Sequence, residues 1–259
     1  MLVFVIPLKS QKVSKSWERV SQLFERCIKS VCNQTSTNFR VIVACNEKPA
    51  IQFQHAQVSY LEVDFQPPKE KTIIAAKRTD KGRKILAGLI HARQFSPSHT
   101  MVVDADDCIS KNLAAFVDQR AGNNGWFLNK GYRYHDGDSF VYLKRRNFYR
   151  MCGTCNIVRY DLNQLPEHPE YNRGYGYYEY YIAHERVKET LAAQGSPLKP
   201  LPFSGAVYMV ENGENIYYKK ERLYNGILSR FNQRPLNSMI QAEFGLTSLA
   251  PEKRLSLTR

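Results

Sequence analysis

Four short runs of apolar residues set the problem this chain has to solve. "LVFVI" (2–6), "FRVIVAC" (39–45), Val58 to Val63 and "TMVVD" (100–104) are too short for helices and too continuous for half-exposed strands. Runs of this kind read as strands buried on both faces. Between the first two, Val13, Trp17, Val20, Phe24, Cys27, Ile28 and Val31 recur at spacings of three and four, one apolar stripe on a helix. Ile85, Leu86, Leu89 and Ile90 give a second stripe ahead of the fourth run. Strand, helix, strand, strand, helix, strand predicts an α/β fold: an open, mostly parallel sheet covered by helices. Such sheets bind ligands outside the carboxyl ends of their strands.

Past about residue 122 the rhythm changes. "GWFLNKGYRY" and "SFVYL", linked through "HDGD", predict an antiparallel hairpin, and "CNIVRY" another strand. A tyrosine-rich stretch then leads into a helix with Ile182, Val187 and Leu191 on one face, and "GAVYMVE" (205–211) reads as the last strand. From Lys219 onward a basic tail carries Leu223, Ile227, Leu228 and Phe231 at helical spacing. The expected organisation is one domain over 1–218, with halves at about 1–122 and 123–218, followed by a basic helical extension over 219–259. A basic amphipathic helix can lie on anionic lipid, and the same stripe can equally be buried against the domain.

"MVVDADDCIS" (101–110) holds the densest chemistry. Asp104, Asp106 and Asp107 stand where the fourth run ends, and like charges this close call for something positive. A calcium loop of the EF-hand type fails, because Cys108 and Ile109 occupy the fifth-ligand and glycine positions and Ala115 stands in place of the twelfth-position glutamate. An aspartyl phosphatase would follow its second aspartate with a small glycine-containing turn, which "DDCIS" lacks. Helix capping by Asp107 or Ser110 explains one carboxylate and leaves two. A divalent cation holding a diphosphate accounts for the set, since Mg²⁺ and Mn²⁺ are seldom caged by protein alone.

The formal charge of +13 points to an anionic partner without choosing among nucleotide, nucleic acid and lipid. No block of Lys and Arg interleaved with aromatics stands out, so a nucleic-acid partner is not expected. Six scattered cysteines read as reduced thiols, and "CGTC" (152–155) has neither a second pair for zinc nor the setting of a redox motif. No apolar run approaches the roughly 20 residues of a membrane span. "MLVFVIPL" reads as a first strand, not a leader. A cytoplasmic protein, with peripheral contact to the inner membrane face through its tail at most, is the expectation.

"VIPLKS", "VACN", "EVD" and "MVVDADD", at four successive strand ends over about residues 1–125, resemble the nucleotide-binding half of GT-A glycosyltransferases, especially family 2. The second half, with "CGTCNIVR" and "LPFSGAVYMV", is similar to bacterial, notably cyanobacterial, family 2-like proteins. The resemblance implies a three-layer α/β/α sandwich: a Rossmann-like half with a mostly parallel sheet, and an acceptor half with antiparallel strands. It implies a metal-dependent glycosyltransferase moving a sugar from a nucleotide-diphosphate sugar to a saccharide or other hydroxyl acceptor, with Mn²⁺ or Mg²⁺ as cofactor. Asp104 would meet the ribose and, with Asp106, the metal. Pro7, Lys9 and Ser10 would line the base pocket, and Asn46 and Asp64 would face base or ribose. Arg83 and Lys84 would lie near base or phosphate; the basic set Lys77, Arg78, Lys81, Arg83 and Lys84 serves as well as a solvated face. Inverting members carry Glu-Asp at a helix start as the base. This chain has "YYEYY", which leaves Glu179 as the candidate base and His184 as its substitute. Tyr175, Tyr177, Tyr178, Tyr180 and Tyr181 offer flat faces for a sugar, or ordinary core. The rival expectation is a basic, non-catalytic protein that keeps the fold and binds nucleotide, nucleic acid or a membrane surface.

Overall fold

The computed structural model describes residues 1–66, 74–214 and 231–249. Its frame is a seven-stranded sheet. Strand β1 (Leu2–Pro7) pairs in parallel with β2 (Phe39–Cys45) and β4 (His99–Val102), and β2 pairs in parallel with β3 (Val58–Glu62). On the far side of β4 lie β9 (Asn156–Arg159), β6 (Gly125–Phe127) and β10 (Lys199–Pro200); β9 runs antiparallel to both its neighbours. The first half of the sheet is therefore parallel and the second mixed, as the change of rhythm near residue 122 predicts.

Burial follows the pleat. Leu2, Phe4 and Ile6 face one core with Phe24, Cys27 and Ile28 of α1 (Trp17–Cys32), while Val3 and Val5 face another with Ile85 and Leu89 of α2 (Ile74–His91). All six residues of β1 are buried. A strand enclosed on both sides has no polar face to show, which is why its sequence is uniformly apolar. Helix α3 (Leu113–Asp118) adds Leu113 and Val117 to the first core, and α4 (Tyr175–Ile182) lies against α2. The result is three layers, α/β/α.

A second sheet of five strands stands beside this body. It orders β12 (Gln233–Pro235), β8 (Phe140–Lys144), β7 (Gly131–His135), β11 (Ala206–Val210) and β5 (Cys108–Ile109). The hairpin is β7–β8, turning through Gly137 at φ 91°; β6, also placed in the hairpin by its sequence, instead joins the large sheet. The expected helix carrying Ile182, Val187 and Leu191 is two, α4 and α5 (Val187–Ala193), broken at residues 183–186.

Nor is β11 the last strand. Beyond it, β12 extends the small sheet and α6 (Ser238–Phe244) packs Phe244 beside Tyr134 and Met209. Ser30 Oγ donates to the Phe244 carbonyl at 2.6 Å, and Glu243 takes Ser110 Oγ at 2.5 Å. Residues 231–249 are thus part of the body. Of the amphipathic helix expected over 219–234, residues 219–230 lie outside the described residues; Phe231 is 69% exposed. Among the described residues no helix is long and apolar enough to cross a membrane.

Two glycines bring α2 close to its neighbours. A Cβ at Gly88 would stand 2.4 Å from Val5 Cγ1, and one at Gly82 would stand 2.5 Å from Tyr178 Cβ and 2.7 Å from Ile182 Cδ1. Gly82→Ala should therefore destabilise the fold by about 1–3 kcal/mol through overpacking. Urea titration reads this directly, and an unchanged midpoint would mean that α4 is not seated on α2.

Candidate functional site

The chain winds from β1 outward to β2 and β3, then returns to place β4 on the other side of β1. Strand order reverses between β1 and β4, and a reversal of this kind opens a crevice at the carboxyl ends of the two strands. Pro7 ends β1 and Lys9 follows it at that point, and Asp104 to Asp107 follow β4. The same acidic segment is the bridge to β5, so it lies where the large sheet hands over to the small one.

The three carboxylates do different things. Asp107 is fully buried and its oxygens are spent inside the protein. Oδ2 accepts from Thr154 Oγ1 at 2.6 Å and from Cys152 Sγ at 3.2 Å, and Oδ1 accepts from the Met209 amide at 3.0 Å. It does not cap the following helix: α3 begins at Leu113 behind Asn112, which makes no side-chain cap. Ser110 stands at the entry to α3: its hydroxyl accepts the Asn112 amide at 3.2 Å and donates to Glu243. Asp104 receives on Oδ1 the Lys81 ammonium at 2.5 Å, and its amide donates to Thr154 Oγ1 at 2.9 Å. Asp106 Oδ2 accepts from Asn212 Nδ2 at 2.5 Å.

"CGTC" is thus a cradle for the acids. Thr154 ties Asp107 to the Asp104 backbone, and Gly153 gives Asp104 room: a Cβ there would meet Asp104 Oδ2 at 2.6 Å. Burial, then the neighbouring carboxylates, push the Cys152 thiol well above its ordinary range; Cys155 is raised by burial and next by Asp104. All six cysteines are free. Thiols held protonated in this way are poor nucleophiles and poor metal ligands.

Asp104 and Asp106 open onto a cleft of about 190 Å³, whose wall also carries Pro7, Lys9, Lys81, His184 and Glu214. Lys9 Nζ is held by Glu214 Oε2 at 2.6 Å, while Glu214 Oε1 takes the amides of Lys15 and Ser16 at 3.0 and 2.9 Å. Burial opposes that carboxylate's charge, but the Lys9 and backbone hydrogen bonds outweigh it and lower its pKa. Burial, then repulsion from Asp104, raises the pKa of Asp106; the same causes, with Asp106 added, lift Asp107 further. Desolvation works against the Lys81 charge, yet attraction to Asp104, Asp106 and Asp107 prevails and raises its pKa. Burial first and Lys81 second hold His184 below its usual range, so the ring is neutral at pH 7, and its Nε2 is enclosed with no hydrogen-bond partner.

The other expected residues fall elsewhere. Ser10 is buried, caps the turn at 11–13 and donates to Glu47 at 3.0 Å. Asn46 gives its amide hydrogens to the carbonyls of Val63 and Phe65, at 3.1 and 2.8 Å, and so orders the segment after β3. Asp64 is exposed. Arg83 donates to the Gln66 carbonyl and Asp80 and lies over the Phe65 ring. Lys84 is buried against Asp80 at 2.9 Å, at the back of a smaller recess that adjoins the cleft. Glu179 sits within α4, 43% exposed and paired with Arg186 at 2.9 Å, away from the residues that line the cleft. The tyrosines of α4 are core and ties: Tyr178, Tyr180 and Tyr181 donate to the carbonyls of Glu170, Leu162 and Gln164.

Lys81, Gly153, Asn212 and Glu214 are the site residues that sequence reasoning did not single out. A signal for Lys81 exists. Asp80 stands three residues before Arg83 and four before Lys84, spacings at which helix side chains meet. It occupies both and leaves Lys81 to the strand end.

No protein-family model and no curated protein matches the sequence. Among solved structures the chain is similar to S. aureus TarS 1–349 in complex with UDP, at 13% identity and TM-score 0.45, covering 81% of this chain and 60% of that one. The same protein in complex with UDP-GlcNAc gives 12% identity and TM-score 0.42, covering 84% and 61%. Francisella tularensis 2-C-methyl-D-erythritol 4-phosphate cytidylyltransferase, IspD, gives 11% and 0.39, covering 84% and 94%. The chain spans about 60% of the length of the TarS 1–349 structures. The likeness is one of fold.

Asp107→Ala should cost about 1–3 kcal/mol, because it strands the Thr154 hydroxyl and the Met209 amide in the interior. Asp106→Ala should cost well under that. Equal melting temperatures for the two variants would remove the distinction between the buried brace and the cleft carboxylate.

Proposed function

We propose that the chain is a metal-dependent glycosyltransferase that binds a nucleotide-diphosphate sugar in the β1/β4 cleft and passes the sugar to a hydroxyl. One observation carries the reading: Asp104 and Asp106 open at the carboxyl edge of the parallel strands, at the reversal of strand order, beside Lys81 and the neutral His184. That edge is where open α/β sheets hold nucleotides.

The donor set fits Mn²⁺ or Mg²⁺ in a particular way. Asp107 is committed to the interior, and among the described residues no group of three His, Cys, Asp or Glu could hold a metal by itself. Two carboxylates remain, Asp106 foremost. Hard cations that dehydrate reluctantly are held in this manner, with water and phosphate oxygens completing the shell. Burial and then repulsion from Asp104 already make the Asp106 carboxylate costly to ionise, a cost that a cation offsets. Bound there, the ion would neutralise charge on the departing diphosphate.

The residues present then divide the work. Asp104 and Asp106 anchor the diphosphate end, Pro7 and Lys9 wall the nucleotide side, and the His184 ring stands ready to accept a proton. In the transfer, the acceptor oxygen bonds to the anomeric carbon as the bond to the diphosphate breaks. The diphosphate leaves with the electron pair, and the hydroxyl proton passes to the His184 imidazole. A neutral imidazole on the cleft wall suits that role; Glu179, not among the cleft-lining residues and bound to Arg186, does not. The free thiols accord with work in the cytoplasm.

Thermal melting with UDP, GDP, ADP and CDP plus Mn²⁺ tests the donor site. A ligand at 100 times its dissociation constant adds about 2.7 kcal/mol of stability. EDTA should abolish the shift, and Asp106→Ala should lose it while melting normally without ligand. Binding that ignores EDTA and fades only with salt would instead mark a non-catalytic basic binder. For the chemistry, His184→Gln should lower turnover by roughly 10²–10⁴ with donor affinity kept, and Glu179→Gln should leave it unchanged. The reverse pattern would return the role to Glu179.

A further inference from the structure

The strand-end acids are already answered by a positive charge belonging to the protein. Lys81 Nζ lies 2.5 Å from Asp104 Oδ1, with the two side chains 23% and 21% exposed. Nothing on its own helix competes for it, since Asp80 is taken by Arg83 and Lys84. The other ammonium on the cleft wall, that of Lys9, is bound to Glu214. Lys81 also stands at a junction. It lines the cleft, the recess toward Pro7 and Lys84, and the cavity behind Gly153 and His184, so its ammonium has open space around it.

Resting on the reading above, we propose that Lys81 is the resident counter-charge of Asp104, that a divalent cation reaching the cleft must displace it, and that the displaced ammonium binds the diphosphate. A cation approaching Asp104 Oδ1 meets an ammonium on that same oxygen, and two positive charges at contact distance in a partly desolvated cleft repel strongly. The metal alone is therefore held weakly. A diphosphate changes the balance, because it gives the ammonium another anion. Lysine suits such a transfer: it is a compact charge on a flexible stem, with no fixed fork to break. Cation and nucleotide then bind together, each lowering the cost of the other.

Mn²⁺ binding followed by electron paramagnetic resonance, with and without UDP, GDP, ADP or CDP, separates the possibilities. Lys81→Gln should bind Mn²⁺ alone roughly tenfold more tightly, because Asp104 is released, and the Mn²⁺–nucleotide pair roughly tenfold more weakly, because the phosphate contact is gone. Lys81→Arg covers the case of a glutamine variant that does not fold. Its fork grips the carboxylate bidentately, so Mn²⁺ alone should bind more weakly than to the parent. If the parent forms a Mn²⁺ complex with none of the four nucleoside diphosphates, the donor-site reading fails and this proposal with it. If the parent binds the pair but Lys81→Gln leaves the affinity for Mn²⁺ alone unchanged or lowers it, the role of Lys81 alone is overturned.

Discussion

The carboxylate of Asp107 is the brace on which the site depends. Buried and outside the cleft, it takes a hydroxyl and a thiol from the 152–154 loop and an amide from β11, and so joins three separate stretches of chain within one hydrogen-bond shell. A buried carboxyl group is tolerated only when its oxygens are met in this way. With Asp107 fixed, the backbone of 104–106 has one path from the large sheet to the small one. Asp104 and Asp106 are then presented to solvent by a segment that cannot relax away from their mutual repulsion. The brace is what lets two like charges stay side by side.

Around that brace the two sheets share the labour. The parallel half supplies the crevice, since the reversal between β1 and β4 leaves an opening that side chains do not fill. The small sheet supplies the far wall: Asn212 follows β11 and holds Asp106, and Glu214 fastens Lys9 and the amides that open toward α1. Residues 231–249 hold the small sheet to the body through Phe244 and Glu243. The last described stretch of chain is thus tied, through Phe244 and Glu243 among others, to the alignment of a site whose residues run from Pro7 to Glu214.

Much of this was legible in the residues because burial on both faces leaves a uniform trace. "LVFVI" and "FRVIVAC" have no polar alternation to confuse strand with surface, and the α1 stripe from Val20 to Val31 has a single phase. Asp104 and Asp106 were visible because carboxylates rarely crowd a strand end without cause. What the sequence concealed was long-range partnership. Asp107 reads like a cap until Thr154, 47 residues on, is seen to donate to it. Lys81, Arg83 and Lys84 look alike in a basic run, and the difference between cleft and core is a few tens of degrees of helix phase. Asn46 and Ser10 occupy strand ends as expected, yet spend their polar atoms on backbone and on Glu47. Glu179 was inferred from position in a pattern, and the pairing with Arg186 became apparent only when α4 and α5 proved to be separate helices.

The room left by Gly153 has a consequence for how the chain can change. With the Asp104 carboxylate where a methyl group would stand, the smallest substitution available is already an intrusion on the cleft. Glu179 of α4, by contrast, is 43% exposed and meets the partly solvated Arg186 as an ion-pair partner. The one residue of the site that has no side chain to contribute is thus the place where even a methyl group crowds the acids.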